Sequence, residues 1–204
     1  MKRLRIFLAG EGRHELGGWW HEAPYVDPAE CGVLEALVRR VAADDIEVVG
    51  ARMWSKAGHY RSGGRAGREE RTVVRLFLDA AESGADVLVF VRDVDAYDDR
   101  TDEVDSGMKK GAELEPGLSV VGGVAVRVIE GWLLALRQER QSERWQKEPA
   151  KDRVKAVGLT CTADMVECVR AADLDRLPPD AHSLRAWLDQ ARAVFASQQP
   201  PSQR

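Results

Sequence analysis

Asp86-Val87-Leu88-Val89-Phe90-Val91-Arg92-Asp93-Val94-Asp95 is the stretch whose reading decides the fold. Its first half is an unbroken run of β-branched and large apolar residues after a Ser83-Gly84 break, the pattern of a strand buried on both faces of a parallel sheet. Its second half is two carboxylates one residue apart. Open α/β sheets bind their ligands at the carboxyl ends of their strands. Paired carboxylates in that place commonly hold a hard divalent cation such as Mg²⁺. Residues 93–105 carry seven acids against one Arg, so the strand runs into concentrated negative charge. That charge either needs cations or is solvated.

Elements on either side repeat the strand–helix alternation. Leu4 to Ala9 reads as the first strand, broken by Gly10-Glu11-Gly12. Residues 12–26, with Gly17-Gly18, Trp19-Trp20 and Pro24, read as a loop. Asp27-Pro28 reads as an N-cap with Pro at the first helical position, opening a helix to about Ala43. Ile46 to Trp54 is a second strand, and residues 55–67, with four Gly, a loop. Arg68 to Glu82 has helical apolar spacing. The acidic loop follows the third strand. Leu118 to Val126 is a fourth strand interrupted by Gly122-Gly123, and a helix runs from Val128 to about Gln141. This order predicts an α/β fold with a four-stranded, mainly parallel sheet between helices. The last quarter reads as helices over Pro149–Val157, Ala163–Ala171 and Ser183–Phe195. The expected organisation is a core over 1–140, a helical C-terminal extension of the same domain over 141–197, and a frayed tail over 198–204.

The 204 residues are 44% hydrophobic and 31% charged, with a net charge of −4, so no global charge drives the chain toward nucleic acid. Three cysteines, Cys31, Cys161 and Cys168, have neither disulfide-framework nor zinc spacing and read as reduced thiols. Met1 to Ala9 starts basic, but its apolar run is too short for a signal peptide. No stretch reaches membrane-spanning length. A cytoplasmic location is the expectation.

Two further acids join the aspartates. Glu11 lies between glycines, which let the chain turn and let a ligand approach. Parallel strands bring Glu11 and Asp93 to one edge, so three carboxylates can converge on one cation. Glu130 interrupts the apolar segment Val128-Ile129-Glu130-Gly131-Trp132-Leu133. It either complements a helix macrodipole or lies near the interior, where it needs a metal or a basic partner such as Arg127.

At these residues the chain resembles the TOPRIM-like proteins of bacterial defence systems. It is similar to the nuclease half of the overcoming-lysogenization-defect proteins. The carriers are Glu11-Gly12-x-x-Glu15, Asp93-x-Asp95 and Ile129-Glu130-x-Trp132-Leu133-Leu134-Ala135, with Ala181-x-Ser183-Leu184-x-x-Trp187-Leu188 at the end. The resemblance spans roughly residues 1–195. It implies a TOPRIM-like sheet, Glu11 as the motif glutamate, Asp93 and Asp95 as the aspartate pair, and Glu15 and Glu130 as accessory metal ligands. It implies a nuclease using one or two Mg²⁺ or Mn²⁺ ions in anti-phage defence, often beside an ATPase partner subunit. The chain departs from it at Leu16 to Val26, where two tryptophans form either a substrate or partner surface or ordinary packing.

Cations held by carboxylates neutralise charge on a phosphodiester and lower the pKa of an attacking water. Glu11, Asp93 and Asp95 are thus the expected catalytic residues, with Glu11 a ligand or general base. Phosphate grip is expected from Lys56, Arg61, Arg65 and Arg68 in the basic loop and from Lys109 and Lys110. The alternative is a solvated surface. His14 and His59 are weaker candidates, and His182 reads as a helix cap. Two other readings stay open: a non-catalytic partner or regulator of an ATPase subunit, and another Mg²⁺-dependent phosphohydrolase. The latter lacks the usual Ser or Thr close behind Asp93, since Thr101 is eight residues on. DNA and RNA are not distinguished, and a homo-oligomer remains open.

Overall fold

Alternation of side chains along two central strands builds both faces of the molecule. In β1 (Leu4–Gly10), Ile6 and Leu8 enter one apolar cluster while Phe7 and Ala9 enter another. In β3 (Val87–Phe90), Val87 and Val89 join the first cluster, and Leu88 and Phe90 the second. All four residues of β3 are buried, as a strand covered on both faces must be. The structure is a computed structural model that describes residues 3–20, 27, 29–42, 46–61, 66–95 and 99–198.

The sheet is four-stranded and all-parallel, in the order β2-β1-β3-β5, with β2 at Ile46–Met53 and β5 at Ser119–Val121. The chain leaves β1 to one side, forms β2, then returns past β1 to β3. The crevice between β1 and β3 is therefore the topological switch point, where such sheets place ligands. The expected fourth strand is split. Its second part, β6 (Val124–Ala125), pairs in parallel with β4 (Arg92–Asp93), which continues beyond β3. The break falls at Gly122, where a Cβ would meet the Phe90 ring at 2.1 Å. This second ladder carries the Asp93 backbone out past the sheet edge.

One face is covered by α2 (Val33–Val41), α5 (Ile129–Leu136), α7 (Thr162–Ala171) and α8 (His182–Gln198). The other is covered by α3 (Arg68–Glu82) and α4 (Arg100–Leu114). Trp132 of α5 and Trp187 of α8 are buried with ring centroids 5.8 Å apart. Fully burying an apolar side chain stabilises by about 1.5–3 kcal/mol. The region after residue 141 thus builds the same core, through α6 (Lys147–Ala156), α7 and α8. Among the described residues no helix is long and apolar enough to cross a membrane.

Several boundaries differ from expectation. The first long helix starts at Val33 behind Gly32, while Asp27 Oδ1 accepts the Ala29 N–H in a local turn. Pro28 lies outside the described residues, as do Arg65 and residues 199–204 of the expected tail. A short helix, α1 (Arg13–Leu16), follows Glu11-Gly12 directly. The helix expected to reach Gln141 ends at Leu136. The largest correction is α4, which begins inside the expected acidic loop and takes in Asp102, Glu103 and Asp105. Its buried face is built from glycine. A Cβ on Gly111 would lie 2.3 Å from Phe77 Cδ2, and one on Gly107 2.7 Å from Val73 Cβ. Glycine lets α3 and α4 approach closely but gives no apolar periodicity.

Trp19 and Trp20 are half-buried against the core, so packing accounts for both. Cys31, Cys161 and Cys168 are free thiols. The cap of α8 is not His182 but the buried Glu143 carboxylate. It accepts the backbone N–H groups of His182, Ser183 and Leu184 at 3.0–3.1 Å and the Ser183 hydroxyl at 2.8 Å.

Candidate active site

Glu11 leaves the end of β1, and Asp93 ends β4 beside it. The two meet directly, since Glu11 Oε1 accepts the Asp93 backbone N–H at 3.1 Å. Asp93 is 3% exposed. Its Oδ1 accepts the Ile129 N–H at 2.9 Å, so it also tops the first turn of α5. Asp95 is reached through a left-handed backbone, with φ of 54°. Asp tolerates that conformation better than most residues. It is fixed there by Asp95 N–H donating to Arg127 O at 2.8 Å and Arg127 Nη1 donating to Asp95 O at 3.1 Å. Arg127 is therefore spent on the Asp95 backbone and is not the partner expected for Glu130.

One ammonium stands among these acids. Lys147 Nζ, at the start of α6, lies 3.6 Å from Glu11 Oε2, 3.7 Å from Asp93 Oδ2 and 3.5 Å from Asp95 Oδ1. Burial lowers its pKa most, but the three carboxylates together leave it raised. Glu15 points the same way from α1, with its carboxylate bonded to the Gly12 N–H. It is 5% exposed. Burial above all, then repulsion from Glu11 and Glu130, pushes it up to about 7 against the pull of that N–H. Burial likewise pushes Asp93 up to about 8, helped by Glu11, Glu15 and Glu130 and opposed by Lys147. Glu130 is raised by burial, with Lys151, Lys147 and His14 opposing. Four of the five expected acids thus act on one another, and Asp95 joins them through Lys147.

Two arginines bracket the cluster. Arg92 pairs with Glu11 through Nη1 and with Glu69 at 3.1 Å, and its guanidinium lies 5.3 Å from the centre of the Trp54 ring. Arg100 pairs with Asp95 Oδ2 at 3.0 Å and Glu69 Oε1 at 3.5 Å, and donates to Asp93 O. Burial raises the pKa of Glu69, but hydrogen bonds from Arg92 and Trp54 and the nearby Arg100 charge outweigh it, leaving it lowered. Arg92, Arg100, Glu69 and Lys147 were not legible as site residues. Only Arg92 carried a signal, its place directly before Asp93.

The expected phosphate-gripping residues that are described lie before α3, at its start and in α4. Arg68 sits exposed at the rim of a cavity beside the cluster. Lys56 and Arg61 are exposed, and Arg65 lies outside the described residues. Lys110 is ion-paired with Glu70 at 3.3 Å, and Lys109 is an exposed residue of α4. His14 is exposed, and its Nδ1 lies 2.9 Å from Thr162 Oγ1, a tie between α1 and α7.

Whether a divalent cation fits is decided by charge and spacing. Burial first, and repulsion among the acids second, raises the pKa of Glu15 and Asp93. As they stand, no three His, Cys, Asp or Glu among the described residues are drawn together as metal ligands. Lys147 spaces them at ammonium distances, well beyond the roughly 2.0–2.1 Å of Mg²⁺–oxygen contact. For a cation to stand among these oxygens, Lys147 would have to withdraw. Its side chain is 39% exposed on a flexible stem, so it is free to do so.

Compared with protein-family models, curated proteins and solved structures, the chain matches none.

Proposed function

We propose that this chain is a divalent-cation-dependent phosphodiesterase acting on nucleic acid. The observation that carries the reading is the group of mutually repelling carboxylates at the β1/β3 switch point, gathered around one lysine ammonium. Glu11, Asp93 and Asp95 would hold Mg²⁺ or Mn²⁺, with Glu15 and Glu130 beside them. Such a cation neutralises phosphate charge and lowers the pKa of a bound water. Lys147, displaced from the carboxylates, keeps its charge next to them and pairs with the phosphate. Glu15, bonded to the Gly12 N–H and near neutrality, is placed to exchange a proton. Without a cation, Arg92 and Arg100 pair with Glu11 and Asp95. A TOPRIM-like fold, a place in anti-phage defence and an ATPase partner rest on the resemblance alone.

One observation favours a second reading. Lys147, Arg92 and Arg100 already pair with Glu11, Asp93 and Asp95, as in a structural ion network. On that reading the chain is a non-catalytic partner protein. Cleavage of plasmid DNA and transfer RNA with Mg²⁺ or Mn²⁺ separates the two. The first reading expects cleavage that Asp93→Ala abolishes. Absence of cleavage of either substrate, even with an ATPase partner added, leaves the second.

A further inference from the structure

Beside the carboxylates is a cavity of about 440 Å³. Trp54, His59, Arg68, Glu69, Arg92 and Arg100 are among its lining residues. We propose that this cavity seats one nucleotide of the substrate strand, its phosphate gripped by Arg68, Arg92 and Arg100. The inference rests on the phosphodiesterase reading and assigns that site a substrate pocket.

Four observations support it. The volume falls in the roughly 300–1,000 Å³ range of small-molecule sites. Three guanidiniums line the cavity together with the carboxylates of Glu69, Asp99 and Glu103, and planar guanidinium forks suit phosphate oxygens. Arg92 is preset by Glu69 and by the Trp54 face, so little freedom is lost on binding. Finally, the cavity and the carboxylate cluster share walls. Arg92 holds Glu11 and Arg100 holds Asp95 while both line the cavity. Arg68 is exposed at the rim and enters none of these ion pairs.

The shared arginines have a consequence. A phosphate that draws Arg92 and Arg100 toward the cavity loosens their hold on Glu11 and Asp95, which a cation needs. Nucleotide and cation binding should then strengthen each other by the same factor, whichever binds first.

The test is calorimetric titration of the full chain with a deoxynucleoside 5′-monophosphate, the unphosphorylated nucleoside and inorganic phosphate, with and without Mn²⁺. The variants are Arg68→Glu and Ser55→Trp, the latter filling the cavity mouth at an exposed lining residue. Thermal melting checks that both fold. The monophosphate should bind more tightly than either fragment, Mn²⁺ should tighten it, and each variant should weaken it about tenfold or more. Equal binding of monophosphate and nucleoside, or variants that bind like wild type, overturns the proposal. The two readings fail separately. Asp93-dependent cleavage by a chain that binds no monophosphate removes the pocket and keeps the reaction. Monophosphate binding sensitive to Arg68→Glu, in a chain that cleaves nothing, keeps the pocket and removes the reaction.

Discussion

Lys147 Nζ lies 3.7 Å from Asp93 Oδ2, and the same ammonium lies 3.6 Å from Glu11 Oε2 and 3.5 Å from Asp95 Oδ1. It is the protein's own cation at the site. Replacing it with Met should therefore have two opposite effects. The metal-free protein should lose about 1 kcal/mol, the scale of a partly exposed ion pair, or roughly 2–4 °C in melting temperature. Mn²⁺ affinity should rise, because a competitor for the same oxygens is gone. Weaker Mn²⁺ binding by Lys147→Met would mean that the lysine does not share the cation's place.

Stability should depend on pH in an unusual direction. Asp93 and Glu15 are pushed up to about 8 and about 7, above their ordinary values of 3.8 and 4.5. Between those limits the folded state binds more protons than the unfolded state, so stability falls as pH rises. Thermal melts of metal-free protein should show the full benefit near pH 4 and its loss between about 4 and 8. Asp93→Asn should flatten that slope. A melting temperature that rises steadily from pH 5 to 8 in metal-free wild type would contradict the assigned burial and repulsion.

Glu143 joins the turn before α6 to the start of α8 by accepting three backbone N–H groups. Glu143→Ala strands those donors and removes an anion from the helix N-terminus. The expected cost is about 2–3 kcal/mol, a fall of about 5–10 °C in melting temperature. Glu143→Gln should recover part of it, since an amide oxygen still accepts.

Gly111→Ala tests the close approach of α3 and α4. Ala is favoured over Gly in a helix by about 1 kcal/mol, yet the new methyl would meet the Phe77 ring at 2.3 Å. Overpacking costs about 1–3 kcal/mol, so the net change should be destabilising in urea unfolding. A more stable Gly111→Ala protein would show that the two helices can part freely.

The fold was legible wherever burial leaves an apolar signature. Val87 to Val91, Ile6 and Leu8, and Trp187 with Leu188 read directly as sheet and core. The helix α4 was not legible, because Gly107 and Gly111 make its inner face and its outer face is acidic. The α8 cap was hidden because Glu143 is distant in sequence from the helix it caps. Glu11, Asp93 and Glu130 could be placed together because each follows a strand or opens a helix at the same edge, and Glu15 only through the resemblance. Lys147 could not, since it lies in a polar segment with no periodic pattern. Arg100 and Glu69 meet only through the packing of α3 on α4.

The most direct measurement is Mn²⁺ titration of the metal-free protein at pH 7, followed by calorimetry in buffers of different ionisation enthalpy. A cation must displace the protons that Asp93 and Glu15 hold there. Saturable binding with net proton release, lost in Asp93→Asn, is the predicted result. No binding at millimolar Mn²⁺, even at pH 8.5 where both carboxyls are ionised, would contradict a cation site at these residues.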